Sequence, residues 1–235
     1  MELKNKVILI TGASGGIGAA AAQRLAGRGM SIALAGRNIK KLESVAEDCR
    51  TLGGVAEIFP GEITDENYTS GLPHAVKERF GGLHALFNNA GVFETGAFDQ
   101  ADISRWDDAL DVNFRSLLHL TKAAIPYLLE NGESAVINLS SIAGRMTFGG
   151  GGIYSATKHA VHAFSGCLFE DLRDRGLKVS TIYPGFVDTG MTSGVAGDRS
   201  HMIQPDDVAR TLEFVLEFPS NACPTEIVIR PQFPL

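Results

Sequence analysis

Short runs of aliphatic and β-branched residues recur along this chain, separated by longer segments with helical periodicity. Most of these runs are apolar at every position, which is typical of strands buried on both faces of a parallel sheet. The pattern predicts an α/β fold in one domain, a doubly wound, seven-stranded parallel sheet flanked by helices on both faces. The predicted strands are Lys6–Ile10, Ser31–Ala35, Val55–Phe59, Leu83–Phe87, Ala135–Leu139, Val179–Ile182 and Glu226–Ile229. The helical segments include Gly16–Arg28, Ile39–Leu52, Asn67–Phe80 and Tyr154–Arg175.

Charge and hydropathy argue against several classes of function. The 235 residues include 27 acidic and 21 basic side chains, a formal net charge of −6, so nucleic acid is not an expected partner. No apolar run approaches the roughly 18 residues needed to cross a membrane, and the polar N-terminus lacks the apolar core of a signal peptide. Cys49, Cys167 and Cys223 are far apart and fit free thiols in a reducing compartment. We therefore predict a cytoplasmic protein without membrane partners.

A metal site is not predicted. His159 and His162 are three residues apart on one predicted helix, which would suit two ligands of a metal. Neither stands with a third Cys, His or carboxylate at ligand spacing, so packing or an exposed polar face is the favoured interpretation.

A glycine-rich turn, Thr-Gly-Ala-Ser-Gly-Gly-Ile-Gly at residues 11–18, joins the first predicted strand to an alanine-rich helix. In a doubly wound sheet such a turn lies at the carboxyl edge, where nucleotides bind. Its glycines let the backbone approach a pyrophosphate, and the helix N-terminus supplies amide donors. Residues 12–16 also satisfy Gly-x-Ser-x-Gly, the nucleophile elbow of serine hydrolases, but that elbow normally follows several strands and Ser14 follows the first. A plain tight turn is the third interpretation, and phosphate binding is the favoured one.

Tyr154 and Lys158 are four residues apart on a predicted helix and therefore share one face. A lysine cation beside a phenol favours the phenolate and brings the phenol pKa from about 10 toward neutrality. Such a pair can act as an acid in carbonyl reduction and as a base in alcohol oxidation. Ser141, at the end of the fifth predicted strand, could hydrogen-bond the substrate oxygen.

Six features in a fixed order resemble the short-chain dehydrogenase/reductase family, in its compact branch, over nearly the whole chain. They are the turn at 11–18, Asn88-Asn-Ala-Gly91, Asn113, Ser141, Tyr154-Ser-Ala-Thr-Lys158 and Pro184-Gly185. The resemblance implies a Rossmann fold and an oxidoreductase that uses NADP(H) to interconvert a carbonyl compound, a ketone or aldehyde, and an alcohol. It implies that Tyr154 is the acid/base, that Ser141 orients the substrate oxygen and that Asn113 holds a proton-relaying water. Lys158 would lower the pKa of the phenol and bind the nicotinamide ribose.

The resemblance also implies a set of cofactor contacts. The residues are Gly12, Ser14, Gly16, Ile17, Gly18, Arg37, Glu62, Ile63, Asn89, Gly91, Tyr154, Lys158, Pro184, Gly185, Val187 and Thr189. One position departs from the family, in which the third strand usually ends in Asp-Val or Asn-Val. Here the chain reads Glu62-Ile63, and a glutamate could still reach the adenine with its longer side chain.

The choice between NADP(H) and NAD(H) depends on the end of the second strand. NAD-binding members carry Asp at the position of Gly36, and its carboxylate would repel a 2′-phosphate. Arg37 follows immediately, and its guanidinium can bind a phosphate. Ser14 stands where some NADP-binding members have a second basic residue. We therefore predict that NADP(H) is preferred and that NAD(H) remains possible.

Two other functions on the same fold remain open: a non-catalytic dinucleotide-sensing module, and a dehydratase or epimerase. The complete Ser, Tyr, Lys and Asn set argues against a sensor. A small to medium apolar substrate is predicted, because the pocket should be bounded by Phe93, Phe148, Phe186 and Met191. The resemblance further implies a homodimer or homotetramer that pairs through helices at about Ile103–Leu129 and Tyr154–Arg175.

Overall fold

The computed structural model describes residues 1–234, which form a seven-stranded parallel sheet with the strand order β3-β2-β1-β4-β5-β6-β7. The strands are β1 (Val7–Thr11), β2 (Ser31–Gly36), β3 (Val55–Pro60), β4 (Ala85–Asn88), β5 (Ser134–Leu139), β6 (Leu177–Pro184) and β7 (Glu226–Ile229). The α-helices are α1 (Gly16–Ala26), α2 (Ile39–Thr51), α3 (Glu66–Phe80), α4 (Ile103–Leu110), α5 (Ser116–Leu128), α6 (Gly152–Leu172) and α7 (Pro205–Glu217). The predicted Rossmann-type fold class is confirmed.

Residues of the central strand β1 alternate between two hydrophobic layers. Ile8 and Ile10 belong to a layer that also contains residues of α1, α2 and α7. Val7 and Leu9 belong to the opposite layer, with residues of α3, α5 and α6. Because both faces of β1 are covered by helices, every position of the strand is buried. This burial explains why the strand is apolar throughout.

Strand β7 spans the predicted range, and the starts of β2 and β3 and the end of β5 are also as predicted. The other strand ends differ from the prediction by one or two residues. The largest extension is at β6, which reaches Pro184 because Tyr183 and Pro184 pair with Val228 and Ile229 of β7. Helix α1 ends at Ala26 instead of Arg28, with Gly27 as its C-cap. Helix α6 begins two residues before Tyr154 and ends at Leu172, where a short 3-10 turn follows.

The helical segment predicted over residues 103–129 consists of two α-helices and a π-helical turn. Helix α4 ends at Leu110 and α5 begins at Ser116, and a π-helical turn, Asp111–Arg115, joins them. A π-helical turn shifts the hydrogen bonds from i→i−4 to i→i−5 without breaking the helix, so the apolar periodicity carries no clear mark of it. Asn113 lies in this turn and is buried.

The strand order reverses between β1 and β4, which lie side by side and lead to different sides of the sheet. The turns after these two strands therefore separate and leave a crevice at the carboxyl edge of the sheet, which is where doubly wound folds bind ligands. The glycine-rich turn follows β1, and the Asn88–Gly91 segment begins at the end of β4. The topology thus brings two of the sequence motifs to one crevice.

Candidate active site

A cavity of about 590 Å³ opens at this edge of the sheet. It is lined by the segments that follow β1, β4, β5 and β6, together with part of α6. Thirteen of the predicted catalytic and cofactor-contact residues line it: Gly12, Ser14, Gly16, Ile17, Asn89, Gly91, Ser141, Tyr154, Lys158, Pro184, Gly185, Val187 and Thr189. Five others, Gly18, Arg37, Glu62, Ile63 and Asn113, do not line it.

The turn after β1 has the form that a phosphate requires. Gly12 and Gly16 have positive φ angles of 63° and 54°, a region that other residues rarely adopt. Helix α1 has Gly15 at its N-cap, so no side chain occupies its first amide groups. Unpaired amides at a helix N-terminus attract anions, and this turn can therefore hold the pyrophosphate of a dinucleotide.

Gly18 contributes by packing and not by lining the cavity. A Cβ atom at this position would lie 2.5 Å from the carbonyl oxygen of Gly12 and 2.7 Å from Asn89 Nδ2. Asn89 Nδ2 donates hydrogen bonds to the carbonyl oxygens of Thr11, at 2.8 Å, and Gly12, at 3.2 Å. The absence of a side chain at Gly18 thus lets α1 approach the turn, while Asn89 joins the two sides of the crevice.

The Ser, Tyr and Lys side chains lie in the wall of the same cavity. Helix α6 carries Tyr154 and Lys158, and the Lys158 Nζ atom lies 5.8 Å from the centre of the Tyr154 ring. The same Nζ donates a hydrogen bond of 2.9 Å to the carbonyl oxygen of Leu139, at the end of β5. Ser141, two residues farther along, accepts a hydrogen bond of 3.1 Å from the backbone amide of Ala143. These contacts fix the serine and the lysine relative to the sheet.

Burial controls the protonation of both groups on α6. Burial raises the pKa of the Tyr154 phenol, and the Ser141 side chain partly offsets this rise. Burial also lowers the pKa of Lys158 from 10.5 to about 8. The sequence predicted that the lysine would lower the pKa of the phenol. Desolvation is the largest influence on the pKa of the phenol in this structure, and the effect of the lysine stays a prediction.

Asn113 lies behind the cavity wall and holds the segment that follows Gly91. Its Oδ1 accepts a hydrogen bond of 2.7 Å from the amide of Val92, and its Nδ2 donates one of 3.0 Å to the carbonyl oxygen of Val92. Nδ2 also donates to Thr157 Oγ1 at 3.3 Å, which connects the π-helical turn to α6. The contacts that this amide makes within the protein are therefore structural, and the predicted water-holding role stays a prediction.

The residues predicted to bound the substrate give the cavity an apolar wall. The four residues predicted to bound it, Phe93, Phe148, Phe186 and Met191, all line the cavity, and the sequence reasoning missed Met146 beside them. The Phe93 ring packs edge-to-face on Tyr154, with ring centres 4.8 Å apart and planes at 89°. Among the described side chains that line the cavity, only Lys158 and Lys41 carry a charge, and Lys41 was not predicted from the sequence.

Three predicted adenosine contacts lie outside the main cavity. Arg37 and Glu62 line a neighbouring depression, and their side chains form an exposed ion pair with Nη1 and Oε2 3.3 Å apart. Ile63 is partly buried and packs against a hydrophobic layer of the core. Val92 lines both the depression and the main cavity, so the two are neighbours. The cofactor contacts of these three residues stay predictions.

The two helical histidines have protein partners. His159 Nδ1 lies 2.8 Å from the carbonyl oxygen of Ser155, and His162 Nδ1 lies 2.6 Å from the hydroxyl of Tyr183. Within residues 1–234, no group of three or more His, Cys, Asp or Glu side chains is arranged to hold a metal ion. Over the same residues, no helix combines the length and the apolar character needed to span a membrane.

Comparison with known proteins agrees with this geometry. The sequence matches the short chain dehydrogenase family over residues 6–200. It is 34% identical over 230 residues to an uncharacterized oxidoreductase of Staphylococcus epidermidis, covering 98% of this chain and 99% of the relative. The structure resembles a short-chain type dehydrogenase/reductase from Mycobacterium ulcerans, with a TM-score of 0.92, 26% identity and coverage of 98% and 90%. It also resembles a short chain dehydrogenase from Burkholderia cenocepacia solved in complex with NADP, with a TM-score of 0.91, 29% identity and 98% of each chain covered.

Proposed function

The chain belongs to the short-chain dehydrogenase/reductase family, and we propose that it is an NADP(H)-dependent oxidoreductase that interconverts a ketone or aldehyde and the corresponding alcohol. One observation carries the proposal. A single cavity is lined both by a glycine-rich turn suited to phosphate and by Ser141, Tyr154 and Lys158. A dinucleotide bound along such a cavity would bring its nicotinamide to the tyrosine.

The residues present fit such a cofactor. The turn at 12–18 would hold the pyrophosphate, Lys158 would bind the nicotinamide ribose, and the loop that begins at Pro184 would cover the nicotinamide. When bound, the nicotinamide supplies or accepts the hydride. The chain itself supplies position and electrostatics.

Side chains that line the cavity would carry out the proton-transfer steps. In reduction, Ser141 donates a hydrogen bond to the carbonyl oxygen, and Tyr154 gives its phenolic proton to that oxygen as negative charge develops there. The Lys158 ammonium then stabilises the phenolate that remains. Because burial raises the pKa of Tyr154, the phenol is protonated at neutral pH, which is the form that reduction requires. Alcohol oxidation uses the same steps in reverse.

The cavity wall indicates the kind of substrate. Phe93, Met146, Phe148, Phe186 and Met191 offer apolar and aromatic surface, and no carboxylate lies among the described lining residues. We propose a small to medium, uncharged and largely apolar carbonyl compound.

The proposed preference for NADP(H) has two supports. Gly36 provides no carboxylate to repel a 2′-phosphate, and cationic side chains follow it at Arg37 and on α2. A relative of the same fold was solved in complex with NADP. NAD(H) remains possible as a weaker cofactor.

We also propose a homodimer or homotetramer in a reducing compartment, the cytoplasm. The proposed assembly rests on membership of a family whose members commonly form dimers or tetramers. The proposal of the compartment rests on three free thiols: Cys49 is buried, Cys223 half-buried and Cys167 exposed.

The Tyr154→Phe variant tests the proposed function. It removes only the phenolic oxygen, so kcat with a responsive carbonyl substrate should fall at least about a hundredfold while cofactor affinity stays nearly unchanged. Tyr127→Phe is the matched control, because Tyr127 lies on α5 and does not line the cavity.

Steady oxidation of NADPH by a panel of ketones and aldehydes, followed at the absorbance of the reduced nicotinamide, is the measurement. A wild-type protein that binds the cofactor but turns over no carbonyl or alcohol would favour the sensing module or a different reaction on this fold. A Tyr154→Phe protein with most of its activity would contradict the mechanism.

A further inference from the structure

Four side chains from four different segments meet beside the active site, and we call them the Tyr183 cluster. They are Arg145, which follows the 3-10 turn Ile142–Gly144, His162 on α6, Tyr183 on β6 and Glu226 on β7. Within residues 1–234, the lining of the cavity includes none of the four. Any effect of the cluster on the reaction must therefore pass through the active-site residues that it holds.

Tyr183 is the centre of the cluster and is fully buried. The guanidinium of Arg145 lies over the Tyr183 ring, 5.3 Å from its centre, and pairs with the Glu226 carboxylate. The Tyr183 hydroxyl lies 2.6 Å from His162 Nδ1, and that nitrogen is 3.6 Å from Glu226 Oε1. One phenol and one carboxylate thus hold both basic side chains.

Arg145 joins the segment that carries Ser141 to the edge of the sheet. Ser141 is the N-cap of the 3-10 turn that Arg145 closes, and we call residues 141–145 the Ser141 turn. The amides of Gly144 and Arg145 donate hydrogen bonds of 2.8 and 3.0 Å to the carbonyl oxygens of Ser141 and Ile142. The ion pair with Glu226 therefore connects the end of this turn to β7, the last strand of the sheet.

His162 and Tyr183 connect the cluster to two other elements of the active site. His162 lies on α6 one helical turn beyond Lys158. Tyr183 immediately precedes Pro184, where β6 ends and the loop that lines the cavity begins. The cluster thus links the Ser141 turn to the helix of the proposed acid/base and to the strand before the proposed nicotinamide loop.

The protonation state of His162 decides which hydrogen bond it can form. Burial raises the pKa of the Tyr183 phenol, so the hydroxyl keeps its proton and can donate it to a neutral Nδ1. Burial and the nearby charges of Arg145 and His159 lower the pKa of His162, which favours the neutral imidazole. A protonated Nδ1 can no longer accept from the phenol, and it is attracted to Glu226, where it competes with Arg145.

We propose that the residues of the Tyr183 cluster are positioning residues that hold Ser141 against the substrate oxygen, and that protonation of His162 weakens this hold. The inference rests on the proposed function, in which Ser141 donates a hydrogen bond to that oxygen. A displacement of about 1 Å at a catalytic group can cost about a hundredfold in rate, so a loosened Ser141 turn should lower kcat clearly. The glycine-rich turn is not part of the cluster, so cofactor affinity should change little.

Hydrogen exchange of a peptide that covers the Ser141 turn tests the hold without substrate. Exchange of the wild type, corrected for its intrinsic pH dependence, should accelerate as the pH falls from about 8 to about 5. Arg145→Met keeps most of the aliphatic stem and removes the charge, so at pH 8 it should exchange at least about tenfold faster than the wild type. Arg145→Lys restores the charge without the planar stacking and should lie between the two.

The pH profile of kcat for carbonyl reduction tests the positioning. Tyr154 has a raised pKa and Lys158 one of about 8, so neither should cause a loss of rate on the acid side. Wild-type kcat should nevertheless fall by about five- to tenfold from about pH 7 to about pH 5 as His162 is protonated. In His162→Asn the side-chain oxygen replaces Nδ1 as acceptor and does not titrate, so the loss should shrink to less than about twofold.

The Arg145 variant separates kcat from KM. Arg145→Met should lower kcat about tenfold at neutral pH, while the KM for the cofactor stays within about twofold. Arg173→Met is the matched control, because the Arg173 guanidinium also lies 5.3 Å from the centre of an aromatic ring, that of Phe169, and pairs with Glu170 at 3.2 Å. That group is at the end of α6, so the control should match the wild type in exchange of the Ser141 turn and in kcat.

Several results would overturn the proposal. They are wild-type exchange in Arg145→Met, equal effects of Arg145→Met and Arg173→Met, a wild-type kcat that does not fall on the acid side, and an acid loss in His162→Asn as large as in the wild type. Should Arg145→Met be too unstable to purify, Arg145→Lys and His162→Asn decide the question. An exchange response without turnover of any carbonyl would support the hold on the Ser141 turn and contradict the oxidoreductase. Turnover without an exchange response would contradict only the hold.

Discussion

Replacing Lys158 by methionine should abolish catalysis and at the same time make the cofactor-free protein more stable. The lysine side chain is buried, with a relative exposure of 5%, and burial lowers its pKa from 10.5 to about 8. One pKa unit corresponds to about 1.4 kcal/mol, so keeping this ammonium charged in the folded state at pH 7 costs about 3 kcal/mol. Methionine has a similar length and volume and carries no charge.

The gain is smaller than this cost, because the substitution also removes the hydrogen bond from Lys158 Nζ to the Leu139 carbonyl oxygen. A hydrogen bond from a charged donor contributes about 1.5–3 kcal/mol. The net stabilisation at pH 7 should therefore be about 1 kcal/mol, which raises Tm by about 2–4 °C in a domain of this size.

The pH dependence gives a sharper test than the value at pH 7. The pKa of Lys158 is lower in the folded than in the unfolded state, so between pH 8 and 10.5 the unfolded chain binds more protons. The cost of the charge is complete below pH 8 and disappears as the pH rises toward 10.5. The advantage of Lys158→Met should therefore shrink over this range and reverse at its upper end, where only the lost hydrogen bond remains.

Urea unfolding of both proteins from pH 7 to 10 measures this difference. Lys40→Met is the control, because Lys40 is exposed, and its stability relative to the wild type should change little with pH. A Lys158→Met protein that is less stable than the wild type at pH 7, by an amount independent of pH, would refute the reasoning. It would mean that local contacts compensate the buried charge.

Three further predictions follow from packing and assembly. Gly18→Ala should destabilise the protein by about 1–3 kcal/mol in urea unfolding, because its Cβ would lie 2.5 Å from the Gly12 carbonyl oxygen. Gly15→Ala is the control and should have nearly wild-type stability, because a Cβ at Gly15 meets nothing within 4 Å. Asn113→Ala should lower the free energy of unfolding by about 2–4 kcal/mol, because the backbone N–H and C=O groups of Val92 both lose their hydrogen-bond partner. Unchanged stability would show that water replaces the Asn113 side-chain amide. Light scattering at micromolar concentration should show a species of at least twice the 25.0 kDa chain mass, and a monomer alone would contradict the proposed assembly.

The fold could be predicted from the sequence because local and global signals agree. Runs such as Ile32–Ala35 are apolar at every position, and only strands covered on both faces bury every position in this way. Gly81 and Gly176 adopt positive φ where α3 ends and where the turn after α6 ends, a conformation that favours glycine at the end of a helix. Strand ends were less certain, because they depend on pairing with neighbours, as at Pro184 with Ile229.

Two features of the site were missed from the sequence, the π-helical turn and Lys41, and only the second had a signal in the sequence. The π-helical turn at Asp111–Arg115 shifts the hydrogen bonds by one residue inside a continuous helical pattern, so no residue type marks it. Lys41 did have a signal. The buried residues of α2, at positions 42, 45, 46 and 49, define its inner face, and 100° per residue places Lys41 beside that face and Lys40 nearly opposite. The direction of α2 across the sheet edge, which the sequence does not specify, then decides that Lys41 reaches the cavity.

Several costly features of this structure lie at or beside one cavity, and their location supports a functional reason for them. Lys158 is a buried cation bonded to the Leu139 carbonyl oxygen, which is an unfavourable arrangement for stability alone. Asn113 is a buried polar side chain in an irregular helical turn, and Gly12 and Gly16 hold the backbone at positive φ. A sheet of this topology can fold without these features, since the β2–β3 side of the sheet is held by apolar contacts and ordinary caps such as Asn38. These arrangements are locally unfavourable for stability. The proposed dinucleotide-dependent proton transfer needs a lysine with a lowered pKa and a backbone turn that no side chain covers.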